Sequence, residues 1–197
     1  MKAKEKDEWE ITNADIFRYY IGWEDTDKEL VENIKKGNEE KFHDYLKSMR
    51  IARNFKTNSY KNVFKFTREY VSKNTAKFDV KDFSDSLYKK HFLAGDNKNA
   101  IVAASKILWI YNLKETIIQD SRAKKALEKL TGKKIGKYQD YCEAWEAQYL
   151  LFKKNYDEKI KAIGIDKLDN VFKEEWFIRR TFDNYLWSRG KSKTKSN

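Results

Sequence analysis

"FLAGDNKNAIVAASKILWIYNLKETIIQDSRAKKALEKLTG", residues 92–132, passes through several local preferences in quick succession. A glycine-bearing turn at Gly95 leads into an apolar helical run, where Ile101, Ala104, Leu108 and Tyr111 share one face at intervals of three and four. "TIIQ" reads as a short extended step. Asp120 then stands directly ahead of "SRAKKALEKLTG", where an aspartate favours the start of a helix and Gly132 its end. Upstream, "DVKDFSDSLYKKHFLAG" lines up Val80, Phe83, Leu87 and His91 before the break at Gly95. Residues 79–132 are therefore predicted as one unit of helix, tight turn, helix, extended step, aspartate and helix.

The same periodicity extends in both directions. "DKELVENIKKGN" sets Leu30, Val31 and Ile34 together and stops at Gly37. "NEEKFHDYLKSMRIARN" repeats the pattern through Phe42, Tyr45, Leu46 and Met49. "NSYKNVFKFTREYVSKN" reads as helix through Phe64 and Val71, although Tyr60, Val63 and Phe66 also carry strand character. A long helix is predicted from about Lys137 to Ala162, with Tyr141, Trp145, Gln148 and Phe152 along one stripe. A last one is predicted from about Asp169 to Trp187, packing Ile178, Phe182, Tyr185 and Leu186. There is no proline, and the seven glycines are scattered, which suits helices joined by short turns. The predicted fold is all-α and two-lobed around the central helix-hairpin-helix unit. An N-terminal helical lobe spans 1–78, the hairpin unit 79–132, long C-terminal helices 133–190, and a basic tail 191–197.

Forty-two Lys and Arg against thirty-one Asp and Glu give a net charge of +11, a balance that favours a polyanionic partner, most often nucleic acid. A lysine-rich genome produces the same excess without any partner. The single cysteine, Cys142, excludes an internal disulfide and any four-cysteine metal cluster, and the two histidines, His43 and His91, are far apart in sequence. No metal or other cofactor is expected. "MKAKEKDEWE" lacks the apolar core of a signal peptide, and no run is long enough to span a bilayer, so a cytoplasmic monomer away from membranes is expected.

The hairpin "FLAGDNKNAIVAASKILWIY", with Leu93, Gly95 and the apolar helix Ile101 to Leu108, resembles that of the helix-hairpin-helix DNA glycosylase superfamily. "IIQDSRAKKALEKLTG" is similar to the segment that follows in that family, where an apolar step leads to an aspartate heading a helix, and Asp120, Arg122 and Leu127 occupy the matching places. The resemblance covers about a quarter of the chain. It implies a DNA N-glycosylase acting on double-stranded DNA, with two helical lobes and a cleft between them. Asp120 would be its catalytic carboxylate, and Gly95, Asn97, Lys98, Asn99, Lys106 and Arg122 its DNA-binding residues. Asn97 replaces the hairpin's second glycine and Gln119 the proline before the aspartate. Asn99 stands where bifunctional members keep a lysine. A monofunctional enzyme is therefore implied, with Lys98 and Lys106 as secondary candidates for a lyase nucleophile.

The chemistry needs these residue types. Breaking an N-glycosidic bond develops oxocarbenium character on the sugar, which a fixed carboxylate stabilises while it orients the attacking water. The macrodipole and free amides of a helix N-terminus favour negative charge there. The hairpin turn and the first amides of the helix behind Asn99 are suited to a phosphate. Excision also requires the base to leave the stack for an aromatic-lined pocket, for which Trp109, Tyr141 and Trp145 are the candidates, ahead of Trp176 and Tyr185. Each residue has a plainer role as well. Aspartate is a common helix cap, and aromatics at helical spacing are usually core. Two other functions fit the same sequence: a non-catalytic helical DNA- or RNA-binding protein, and a phage or mobile-element protein that binds a host protein. As a glycosylase, the chain would serve repair or defence against phage DNA carrying modified bases.

Overall fold

The periodic stretches become helices in a computed structural model that describes residues 11–95, 99–164 and 169–190. Asn97 and Lys98 of the predicted hairpin, and the tail 191–197, lie outside the described residues. The protein is all-α. In order come α1 (Asn13–Gly22), a π-helical turn (Trp23–Asp27), α2 (Lys28–Lys35), α3 (Glu39–Ser48), a 3-10 turn (Ala52–Asn54), α4 (Tyr60–Lys73) and α5 (Val80–Lys89). They are followed by α6 (Ile101–Tyr111), α7 (Ser121–Thr131), α8 (Tyr138–Ile163), a second 3-10 turn (Asn170–Lys173) and α9 (Glu175–Arg189). The segment with mixed helix and strand character is the helix α4, whose Val63, Phe64, Thr67 and Tyr70 form one buried stripe. Extended pairing among the described residues is confined to an isolated antiparallel bridge between Phe55 and Leu93. No helix among them is long and apolar enough to cross a membrane.

The chain divides into two compact units, one made of Met1–Ile21 with Asp120–Asn197 and the other of Gly22–Gln119. The division passes through the segment 79–132 at Gln119/Asp120, and α1 groups with the C-terminal helices.

In the central unit, α6 packs against α2, α4 and α5. Every residue from Ala103 to Ile110 is buried, so this helix is enclosed on all sides. Phe42 meets Phe64 at 5.0 Å, and Phe66 stacks on Phe83 at 5.6 Å. Asp79 caps α5, accepting from the Lys81 and Asp82 amides at 2.8 and 3.0 Å. Asp79→Ala is expected to cost about 1 kcal/mol in urea unfolding, whereas Asp79→Asn, which keeps an acceptor there, should cost much less.

In the other unit, α9 packs against α7 and α8. Trp145, Tyr149 and Phe152 of α8 surround Phe182 of α9, with ring centroids 4.9, 5.8 and 4.9 Å away. Tyr156 closes the far end by donating its hydroxyl to the Phe172 carbonyl at 3.0 Å. α1 joins this unit through Phe17 and Tyr20, which pack on Phe172 at 5.5 and 4.7 Å. The Tyr20 hydroxyl also donates to Asp169 at 3.4 Å.

Candidate active site around Asp120 and Asp183

Thr116, Ile117 and Ile118 are buried, and the Gln119 amide donates to the Ser105 hydroxyl at 3.0 Å, which pins the extended step to α6. The chain remains extended through Asp120 (φ −132°, ψ 145°) and turns into α7 directly after it. Asp120 Oδ1 accepts from the Arg122 amide at 2.9 Å, and the Asp120 carbonyl accepts from Lys124 N–H at 2.8 Å, the first bond of the helix. Asp120 is thus the N-cap of α7, and it is half-buried. The Arg122 guanidinium lies over the Trp187 ring at 4.4 Å, so α9 orients it.

A second carboxylate shares this unit. Asp183 of α9 is 7% exposed and accepts from Trp145 Nε1 at 2.8 Å. Burial pushes its pKa up to about 7. Arg180, the Trp145 hydrogen bond and Arg179 oppose the rise, and the charge of Asp120 adds to it. Tyr141 lies within the field of both acids. Burial raises its hydroxyl well above the ordinary range, and Asp183 and Asp120 raise it further. Asp120, Asp183, Tyr141 and Trp145 therefore form one electrostatic group. Arg179 borders it, with its guanidinium 4.5 Å from the Trp145 ring and 5.3 Å from the Tyr149 ring, and paired to Glu146 at 2.8 Å.

Of the residues predicted to line a base pocket, Tyr141 and Trp145 join Asp120, while Trp109 belongs to the central unit, set edge-on to Trp23 at 6.3 Å. All three are enclosed, with exposures of 0%, 1% and 2% for Tyr141, Trp145 and Trp109. Trp176 packs edge-on against Phe177 at 5.7 Å, and Tyr185 is buried.

The hairpin residues also lie in the central unit. Gly95 is exposed and takes a left-handed φ of 61°. Asn99 Oδ1 accepts from the Ile101 amide at 3.0 Å, and the Ala100 amide donates to Ser84 Oγ at 3.0 Å. Two amides at the start of α6 are thus engaged within the protein. Lys106 is buried, and its Nζ donates to the Met49 carbonyl at 3.2 Å, just beyond the C-terminus of α3, where a helix favours positive charge. The Tyr45 hydroxyl holds the Lys106 carbonyl at 2.8 Å. No group of three or more His, Cys, Asp or Glu side chains among the described residues is placed to hold a metal ion.

Asp183 is the residue that sequence reasoning missed. Its visible signal was Arg179 four positions earlier, an i,i+4 spacing that ordinarily marks an ion pair on a solvated face. Because α7 and α8 both pack on α9, that flank is covered. No family model, curated protein or solved structure matches the chain.

Proposed function

We propose that this protein hydrolyses an N-glycosidic bond in double-stranded DNA, releasing a damaged or modified base. The observation that carries this reading is the pairing, within one unit, of a carboxylate fixed at a helix N-terminus with a buried carboxylate whose pKa lies near 7. A fixed carboxylate stabilises the cationic sugar of the transition state, and a neighbouring carboxyl able to hold a proton near neutral pH spares it the repulsion of a second negative charge. Asp120 stabilises the developing charge on C1′ and accepts a proton from the water whose oxygen adds there. The C–N bond breaks, its electron pair leaves with the base, and the base takes a proton from solvent. Asp183 is a positioning residue, since its protonation sets the charge that Asp120 faces. The Nζ of Lys106 is occupied by the Met49 carbonyl, which favours simple hydrolysis over a lyase step.

The test is single-turnover incubation with duplexes carrying a panel of damaged and phage-type modified bases, scoring alkali-labile sites and the freed base by mass spectrometry. The wild type is expected to release a base, and Asp120→Asn to do so about a hundredfold or more slowly. Asparagine still caps the helix, so loss of fold would not account for such a drop. Strand breakage without alkali would point to a lyase lysine.

A non-catalytic DNA-binding protein is favoured by one observation, the complete enclosure of Tyr141 and Trp145, which leaves their rings engaged in the core. Its signature is salt-sensitive binding with no base released by either protein.

A further inference from the structure

Beyond the aspartate at its head, α7 carries a feature that hydrolysis does not use. From Ser121 to Lys137 the chain has seven Lys or Arg and a single carboxylate, Glu128, which amounts to more than half of the net charge of +11. α7 buries Ala123, Ala126 and Leu127, and helical geometry sets Lys125 and Lys129 one turn apart on the opposite side. Gly132 ends the helix in the left-handed conformation (φ 66°), and Lys133 and Lys134 continue from it, both exposed. Glu128 is turned to the following loop, where Oε1 accepts from the Ile135 amide at 2.9 Å.

Some lysines elsewhere are matched to carboxylates, as in Lys28–Glu24, Lys61–Glu39, Lys81–Asp85 and Lys153–Asp157, whereas the exposed Lys36, Lys65, Lys73 and Lys89 are not; what sets 121–137 apart is the density of cations around a single carboxylate. Among the described residues, Lys125, Lys129, Lys133 and Lys134 form no such pair. The ridge also lacks large exposed apolar side chains, because Leu127 and Ile135 are buried and Leu130 is half-buried. Stable protein interfaces and membrane-embedded helices are built around an apolar centre, whereas a phosphate backbone is held through charge and hydrogen bonds without one. The hairpin amides that would otherwise serve a phosphate are engaged with Ser84 and Asn99.

We propose that the ridge formed by Lys125, Lys129, Lys133 and Lys134 is the surface that holds the phosphate backbone of duplex DNA. This rests on the DNA reading above but not on catalysis. The ridge begins in the same helix that Asp120 caps.

The experiment measures binding of a labelled unmodified duplex over a salt series, by fluorescence anisotropy. It compares the wild type, a K125Q/K129Q/K133Q/K134Q variant and a control K36Q/K65Q/K73Q/K89Q variant that removes the same charge from exposed lysines of the central unit. Circular dichroism establishes that each is folded. The slope of log affinity against log salt is expected to become shallower by about 3 to 4 in the ridge variant and by less than about 1 in the control. Equal losses in both variants, or none in the ridge variant, would overturn the proposal, as would a wild type that does not bind duplex DNA. Displacement of DNA by polyglutamate at equal charge would also overturn it, in favour of an acidic protein partner. A wild type that binds through the ridge but releases no base leaves the ridge standing and removes the glycosylase reading.

Discussion

Alanine at Gly190 is expected to destabilise the protein by about 3 kcal/mol or more, lowering the thermal midpoint by roughly 6 to 12 °C. The cause is space and not backbone conformation. Gly190 has φ −79°, which any residue adopts, and ends α9 by donating its amide to the Leu186 carbonyl at 2.9 Å. A Cβ added there would stand 1.9 Å from the Arg122 carbonyl oxygen, 2.5 Å from its carbon and 2.9 Å from its Cα. These are backbone atoms of the first turn of α7, so relief requires that α7 and α9 separate. At Gly37, by contrast, the nearest atom to an added Cβ is the Arg68 guanidinium nitrogen at 2.9 Å, which a flexible side chain can withdraw. A helix-terminal glycine at negative φ ordinarily gains slightly from alanine, by about 0.4–1 kcal/mol. The expected sign is therefore reversed. Gly132→Ala is the companion measurement. Nothing lies within 4 Å of its added Cβ, but its φ of +66° should cost about 1 kcal/mol. A Gly190→Ala protein that melts with the wild type would disprove the close approach of the two helices.

The second large effect is a pH dependence centred on Asp183. Its pKa stands at about 7 in the folded protein against an ordinary 3.8, because burial penalises the charged form more than Arg180, Trp145 and Arg179 relieve it, while Asp120 adds repulsion. Between those values the folded chain binds more protons than the unfolded one. The associated stability is complete below pH 3.8 and is lost as pH rises through about 7. The difference between 3.8 and about 7 corresponds to roughly 4 kcal/mol. Asp183→Asn removes the titration and keeps an oxygen for Trp145 Nε1. Urea unfolding of both proteins over about pH 4 to 8 should therefore show the wild type losing up to about 4 kcal/mol relative to the variant. Above the pKa, Asp183→Asn should be the more stable protein. Parallel curves would mean that Asp183 is already ionised in acid and that its surroundings accept the charge. The groups facing it are Arg179 and Arg180 on its own helix, Trp145 and Tyr141 on α8, and Asp120 at the head of α7.

The helices were legible because each carries its own instruction. The spacing of Phe42, Tyr45 and Leu46, the cap at Asp79 and the left-handed Gly132 act over one or two turns, and the chain obeys them locally. The step "TIIQ" followed by Asp120 as a cap was likewise written in a few adjacent residues. The single stripe expected on α6 was too narrow. Ala103, Lys106 and Ile110 lie off that stripe and are buried as well, since a helix enclosed by neighbours has no solvent face for periodicity to reveal. Lys106 shows this most plainly. From sequence it reads as a lysine for phosphate, and in the fold its Nζ reaches the Met49 carbonyl, 57 residues away along the chain and just past the end of α3.

By itself the sequence determined that this protein is all-α, where most of its helices begin and end, and that Asp120 stands at the head of one of them. Only the tertiary structure decided that α1 packs with the C-terminal helices, through Phe17 and Tyr20 on Phe172. It also decided that Asp183 is buried against Trp145 and that Gly190 admits no side chain beside Arg122. Caps and helical faces arise from contacts within a turn or two, which a short window of sequence contains. Burial of a charge, and the closeness of two backbones, depend on which distant segments come to lie on either side, and no local preference encodes that.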